Sequence, residues 1–273
     1  MTAEVERVRG EFAARVARAR HLADRRPAGA EVLGFYAAVA TAQGELLADA
    51  PRVLRPGHAG GDAARLDAAV AAALAPALTA TLRAAAPPGV ATRLAGVADA
   101  GVTTWREWCV AAWPGAAGGD ASAADAPEQF VVEVLLQPFA AVWASSAPPR
   151  PRAGATWCPR CGDRAVVARL DERGHGAARA LVCGRCLTAW DVPRAVCPAC
   201  GQMEVAALPV FRDGDLPAIR LDACDRCRVY VKGVDLTVDG HAEPIADDLA
   251  SWPLDLWAVE QGYRRVRPNL LRL

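Results

Sequence analysis

The sequence has almost no lysine. Lys232 is the only one, so nearly all the basic charge is arginine, and this bias together with the alanine excess reflects composition rather than function. Net charge is also absent: 31 basic residues balance 31 acidic ones, so no whole-molecule field draws the chain toward nucleic acid or anionic lipid. Long strongly apolar runs are missing too. The most apolar stretch, Ala68 to Leu82, is mainly alanine and contains Pro76, short of the roughly 20 apolar residues of a membrane helix. It reads as a buried helix, and no membrane insertion is expected. The first residues are charged from Glu4 onward and lack the apolar core of a signal peptide, which makes a cytoplasmic location the expectation. No Ser-His-Asp order, phosphate-cradling glycine loop or histidine beside a cysteine pair stands out, so no catalytic residue is assigned and a non-enzyme is expected.

What is present divides into two halves. Residues 1–147 are rich in alanine and leucine with apolar positions at helical spacing, and helices are expected near 3–24, 29–48, 62–84, 90–113 and 126–145. Breaks fall at Pro27, Pro51, Pro56, Pro87-Pro88 and the Gly115 to Gly119 region. Val32, Phe35, Tyr36, Val39, Leu46 and Leu47 form one stripe; Val131, Val134, Leu135, Phe139, Val142 and Trp143 form another. Such stripes read as core, as do Trp105 and Trp108. Pro138 should kink the last helix. The seam Ser145 to Pro151 is proline-rich and disfavours helix.

From Trp157 onward the chain is punctuated by cysteine, glycine and short β-like runs. Four Cys-x-x-Cys pairs occur in order: Cys158 and Cys161, Cys183 and Cys186, Cys197 and Cys200, Cys224 and Cys227. Two intervening residues let a tight turn aim both sulfurs at one ion, and two pairs complete a tetrahedral shell. Glycine after the second cysteine, as at Gly162 and Gly201, suits a backbone entering positive φ. With no export signal, thiols should stay reduced, which favours metal ligation over disulfides. A thioredoxin-like redox role is weaker, since the strand–helix–strand surroundings it needs are missing.

The pairs form an internal repeat: Cys-Pro-x-Cys-Gly, a spacer of 21 or 23 residues, then Cys-x-Arg-Cys. Each spacer reads as a β-hairpin. In the first, Val166, Ala168 and Leu170 return through Ala178, Ala180 and Val182 around Gly174-His175-Gly176; in the second, Val205 to Phe211 turns at Asp213-Gly214 and returns through Ile219 and Leu221. The expected fold class is α+β, an all-α N-terminal domain (1–147) followed by two tandem rubredoxin-like or zinc-ribbon units (157–192 and 193–273), the second with a C-terminal helical segment. The repeat favours sequential pairing, with Cys158, Cys161, Cys183 and Cys186 on one metal and Cys197, Cys200, Cys224 and Cys227 on another. A cross-braced arrangement is the rival. Tetrahedral sulfur suits zinc and iron alike. Four thiolates around a divalent ion leave a charge of about −2, and Arg160, Arg185 and Arg226 lie within the knuckles to offset it. Cys109 has no partner at ligand spacing and reads as a small buried hydrophobe. His175 and His241 are unassigned.

After the last knuckle the chain reads Cys224-Asp-Arg-Cys227-Arg-Val-Tyr230-Val-Lys232, then Glu243-Pro-Ile-Ala-Asp247-Asp248-Leu-Ala, Leu254-Asp255 and Gly262-Tyr263-Arg264. This closely resembles the C-terminal signature of the formate dehydrogenase accessory protein family, FdhE. The resemblance is strong over 157–273 and loose over the helical half, where it rests on Tyr36 through Gln43 preceding Leu46-Leu47. It implies a cytoplasmic, non-catalytic, chaperone-like maturation factor that binds the catalytic subunit of respiratory formate dehydrogenase, with self-association left open. It also implies two rubredoxin-like iron ions at the cysteine sites, with zinc the alternative. Because the resemblance is dense there, Tyr230, Lys232, Glu243, Asp247 and Asp248 are expected to contribute to a partner-binding face. The competing reading of Asp247 and Asp248 is helix-start chemistry: Pro244 near the start of a helix and the two carboxylates in its first turn, at the positive end of the helix dipole. Two other function classes compete: a one-electron redox protein acting on the immature dehydrogenase, and a zinc-ribbon nucleic-acid binder, which the interleaved acids disfavour.

Overall fold

The computed structural model describes residues 1–55, 65–113, 126–149, 156–173 and 176–272. Pro56, the Gly115 to Gly119 region, the proline seam from Arg150, and Gly174 and His175 lie outside the described residues.

The N-terminal half is helical. Helix α1 (Thr2–Arg25) buries Val5, Val8, Phe12, Arg15, Ala19 and Leu22, the three- and four-residue spacing that lines one face. It packs on α2 (Ala30–Leu46), whose stripe includes Leu33, Tyr36, Val39, Ala40 and Gln43. A short α3 (Ala50–Val53) leads to β1 (Leu54–Arg55), paired antiparallel with β2 (Arg65–Leu66). Helix α4 (Ala68–Ala85) starts at Asp67, whose carboxylate accepts from the amides of Ala69 and Val70, satisfying donors that a helix start leaves free. By length and composition α4 could cross a membrane; here Ala71, Ala72, Ala75, Leu78 and Leu82 pack into the core.

The helix expected over 90–113 is instead two, α5 (Pro88–Ala95) and α6 (Val102–Ala112). The chain between them makes three-residue turns, Val97 N–H to Leu94 O, Ala98 N–H to Ala95 O and Ala100 N–H to Val97 O, bounded by Gly96 and Gly101, residues of low helix propensity. The redirection sinks Trp105 fully into the core, edge-on to half-buried Trp108 at 5.0 Å. Helix α7 (Pro127–Ser146) is continuous through Pro138 and is buried along most of its length.

The C-terminal half is built on a seven-stranded sheet with β9 paired onto its middle strand β8. Its first three strands are β3 (Ala165–Arg173), β4 (Gly176–Cys183) and β5 (Ala189–Val192). The next three are β6 (Val210–Arg212), β7 (Ile219–Cys224) and β8 (Val229–Asp235). Helices α8 (Pro244–Ala250) and α9 (Trp252–Glu260) and the short β9 (Arg264–Arg265) complete the chain. The first expected hairpin is β3–β4, with Leu170 opposite Arg179 and Ala168 opposite Leu181. In the second, Val205–Ala207 is a 3-10 turn rather than strand, and Pro209, which lacks a ladder donor, precedes a β6 of three residues.

Strand order is β5-β4-β3-β8-β7-β6. Each repeat therefore forms an antiparallel three-stranded ribbon, and the two ribbons join edge to edge by parallel pairing of β3 with β8, Ala168 opposite Gly233 and Leu170 opposite Asp235. One contiguous core runs from Phe12, Leu33 and Phe139 in the helices to Val167, Leu221, Tyr230 and Leu249 around the sheet.

Candidate metal centres

The four knuckles share one backbone plan. In each, the residue after the second cysteine donates its amide to the carbonyl of the first: Gly162 to Cys158, Leu187 to Cys183, Gly201 to Cys197 and Arg228 to Cys224, at 2.8–3.2 Å. All four of these residues have positive φ, between 55° and 76°. Glycine occupies that conformation without strain in the first knuckle of each ribbon; Leu187 and Arg228 adopt it in the second, a cost for a residue with a Cβ. The tight turn also points amides at sulfur. Arg185 and Cys186 N–H donate to the Cys183 Sγ at 3.4 and 3.5 Å, and Ala199 and Cys200 N–H to the Cys197 Sγ at the same distances.

The quartets assembled in this way are the sequential ones. Cys158, Cys161, Cys183 and Cys186 lie together, as do Cys197, Cys200, Cys224 and Cys227, with all sulfurs of a quartet within 4.8 Å of one another. Measured pairs are 3.6 Å for Cys158–Cys186, 3.3 Å for Cys161–Cys183, 3.6 Å for Cys197–Cys227 and 3.8 Å for Cys200–Cys224. A disulfide requires about 2.05 Å, whereas four sulfurs bound tetrahedrally at about 2.3 Å from an ion stand about 3.8 Å apart. The spacing therefore fits a tetrahedral ion and no cross-link. Burial pushes the Cys183 thiol far up, so ionised sulfurs at this density call for a cation among them. Each quartet could hold one metal ion.

The two centres differ in exposure. All four cysteines of the first are buried, while in the second Cys200 is exposed and Cys227 half-buried. Their polar surroundings differ from expectation as well. Arg226 is exposed, and Arg160 donates to the Ala147 carbonyl. Arg185 does stay at the first centre, bound to Asp163 at 2.9 Å and to the Ala112 carbonyl. The principal cation there is Arg267, which sequence reasoning missed. It is buried, 3.3 Å from Asp163 and 3.5 Å from Glu133. Although burial disfavours its charge, Asp163, Glu133, Cys183 and Cys161 hold its pKa above the ordinary value. Gln137 links the same centre to the helices, donating to the Gly184 carbonyl at 2.8 Å and accepting from Gln43 of α2 at 3.0 Å. Cys109, as expected, joins no quartet; burial pushes its thiol up to about 12.

The residues expected to contribute to a partner-binding face lie inside the fold rather than on its surface. Lys232 is 0% exposed and Asp248 1%, and Tyr230 and Asp247 are also buried; only Glu243 is half-buried. They are the interior ties of the C-terminal segment. Lys232 Nζ donates to the Asp248 carbonyl, to Ser251 Oγ at 3.0 Å and to Asp255 Oδ2 at 2.5 Å. Tyr230 donates to Asp255 Oδ1 at 2.6 Å, and Arg265 pairs with both Asp248 and Asp255. Two cations and two carboxylates thus close a neutral cluster across β8, α8, α9 and β9. Burial alone would raise the Asp248 carboxyl, yet Arg265 and Lys232 hold it below its ordinary value; burial lowers Lys232. Glu243 caps α8, accepting from the Ile245 and Ala246 amides, while Asp247 accepts from the Glu243 amide, a reciprocal cap. The outer faces of Glu243 and Asp247 meet α1 through Arg15 at 3.1 Å and Arg18 at 2.7 Å.

Residues 195–272, spanning the second quartet and this cluster, match the family model described as FdhE, C-terminal domain. This C-terminal segment is similar to the FdhE family. Over 116 residues it is 40% identical to a protein FdhE homolog of Aquifex aeolicus, covering 42% of this chain and 41% of that one. A protein FdhE homolog of Pseudomonas aeruginosa is 36% identical over 121 residues, 42% of this chain and 39% of the relative. The sequence matches thus span about two fifths of these relatives. The fold likeness is wider: the crystal structure of the FdhE protein from Pseudomonas aeruginosa superposes with a TM-score of 0.70 at 25% identity, over 97% of this chain and 96% of that one. The FdhE fold therefore extends through the helical half, where the sequence resemblance was loose.

Proposed function

We propose that the protein is an accessory factor for formate dehydrogenase, acting in the cytoplasm by recognition of the catalytic subunit and not by catalysis of its own. The observation that carries this reading is the FdhE C-terminal domain match over residues 195–272, the segment holding the second cysteine quartet and the buried Lys232–Asp248–Asp255–Arg265 cluster. In this reading the eight cysteines, Cys158, Cys161, Cys183, Cys186, Cys197, Cys200, Cys224 and Cys227, hold two metal ions, iron being what the family resemblance implies. The ions fix the ends of both ribbons, a structural contribution of the order of 10–16 kcal/mol per site in metal-folded peptides. The chain's own residues then supply recognition from a rigid scaffold.

The test is affinity purification of the tagged protein without oxygen, with elemental analysis and capture of the catalytic subunit of formate dehydrogenase. About two metal equivalents per chain and co-purification of that subunit are expected. Recovery of folded, metal-loaded protein that leaves the subunit in the unbound fraction overturns the reading. A second reading draws on the exposure of Cys200: an iron ion there would be placed for one-electron exchange with the immature dehydrogenase. Zinc has no redox chemistry, so finding zinc, or iron that cannot be reversibly reduced, removes it.

A further inference from the structure

Away from both quartet interiors, α1, α7, β3, β4 and the segment entering α8 line a half-open cavity of ≈ 450 Å³, inside the range of about 300–1,000 Å³ that holds small ligands. Its wall carries the guanidinium groups of Arg7, Arg15, Arg160 and Arg169 against the carboxylates of Glu11 and Glu243. Asp171 pairs with Arg169 from behind the wall at 3.0 Å, so four positive groups against three negative ones leave a surplus of one positive charge. Cys186 and Thr188 bring the edge of the first quartet to the same wall; Arg267, which Asp163 and Glu133 hold ahead of Cys183 and Cys161, does not line the cavity.

Arg15 decides the chemistry. It is 5% exposed; its Nε donates to Glu243 Oε1 at 3.1 Å, while its Nη1 is buried with no hydrogen-bond partner among the described residues. A buried charged donor left unsatisfied is costly, and an oxygen from a ligand would satisfy it. The other arginines also have donors to spare. Each carries five N–H groups, and the bonds they make are few: Arg7 to Glu11 and Ser145, Arg160 to the Ala147 carbonyl, Arg169 to Asp171. Guanidinium groups with donors to spare on one wall favour an anion with several oxygens, and a phosphate group offers three where a carboxylate offers two.

We propose that this cavity binds a small phosphate-bearing anion, whose oxygens take donors from Arg15 and its neighbours Arg7 and Arg169. The site is independent of the formate dehydrogenase reading and stands or falls separately. The test is isothermal titration of the full-length, metal-loaded chain with phenyl phosphate, and with benzoate as the carboxylate counterpart of the same shape. Phenyl phosphate should bind one to one, at least tenfold tighter than benzoate. Arg169→Ala, at a partly exposed position, should weaken binding about tenfold, the effect of losing one charge-assisted contact. Glu11→Gln should strengthen it several-fold by removing a negative wall group and releasing Arg7, a gain that no purely structural role of Glu11 predicts. Arg15→Lys, with melting temperature measured alongside, should weaken binding while keeping the charge. Absence of stoichiometric binding to the folded protein, benzoate binding as tightly as phenyl phosphate, or unchanged affinity in both Arg169→Ala and Glu11→Gln would each overturn the proposal.

Discussion

The single lysine sits at the most buried charged position among the described residues, and its chemistry explains why an arginine does not stand there. An ammonium is a compact donor of three hydrogen bonds, and Lys232 uses three: the Asp248 carbonyl, Ser251 and Asp255. Removing one member of a buried charge cluster leaves the remainder uncompensated. Lys232→Met should therefore destabilise the protein by about 3–5 kcal/mol, read as a shift in the denaturation midpoint, whereas Tyr230→Phe should cost only about 1–2 kcal/mol. The pH dependence follows from Asp248. Its carboxyl is held below the ordinary value in the folded state, so its contribution is present above the unfolded value near 4 and is lost as pH falls through the folded one. Stability measured by thermal melts should decline below about pH 4, and Asp248→Asn should flatten that decline. The residues of this cluster were legible in the sequence as a dense signature. Their burial was not, because no local pattern says that a lysine on β8, two aspartates on α8 and α9 and an arginine on β9 converge; only the tertiary fold does.

At the scale of the element, the knuckles were the most readable feature of the chain. Cys-x-x-Cys spacing and a following glycine encode a turn almost completely, and Gly162 and Gly201 take the positive φ expected of them. A Cβ on Gly201 would meet only the Thr156 side chain at 4.0 Å, so Gly201→Ala tests conformation alone and should cost about 1–2 kcal/mol. Gly184 is constrained differently: a Cβ there would collide with the Arg267 side chain. Gly184→Ala should displace Arg267 from Asp163 and Glu133, and should loosen the first centre to chelators more than the second. The fourth expected helix shows the opposite case. Its alanine-rich pattern reads as helix throughout, and the break between α5 and α6 depends on two glycines that bring Trp105 to the core, a long-range requirement. Arg267 was overlooked for a similar reason, since nothing near Asn269 in sequence announces the first quartet.

For the molecule as a whole, unequal exposure of the quartets sets an order of events. With Cys200 exposed and Cys227 half-buried while all four cysteines of the first centre are buried, a colorimetric chelator should remove one metal equivalent quickly and the other slowly. Mass spectrometry after brief alkylation should find Cys200 and Cys227 modified before Cys158 or Cys183. Equal release rates would show that burial does not control access. The two-ribbon architecture was visible in the repeat, but the way the ribbons meet was not, because register between distant strands leaves no trace in either spacer. That seam has a mechanical meaning. Tandem repeats linked only through the chain yield to pulling as separate beads, each giving its own rupture. Here β8 is at once the last strand of one ribbon and the parallel neighbour of β3 in the other, so tension on either passes into both, and a force trace on the loaded protein should record their collapse as one event.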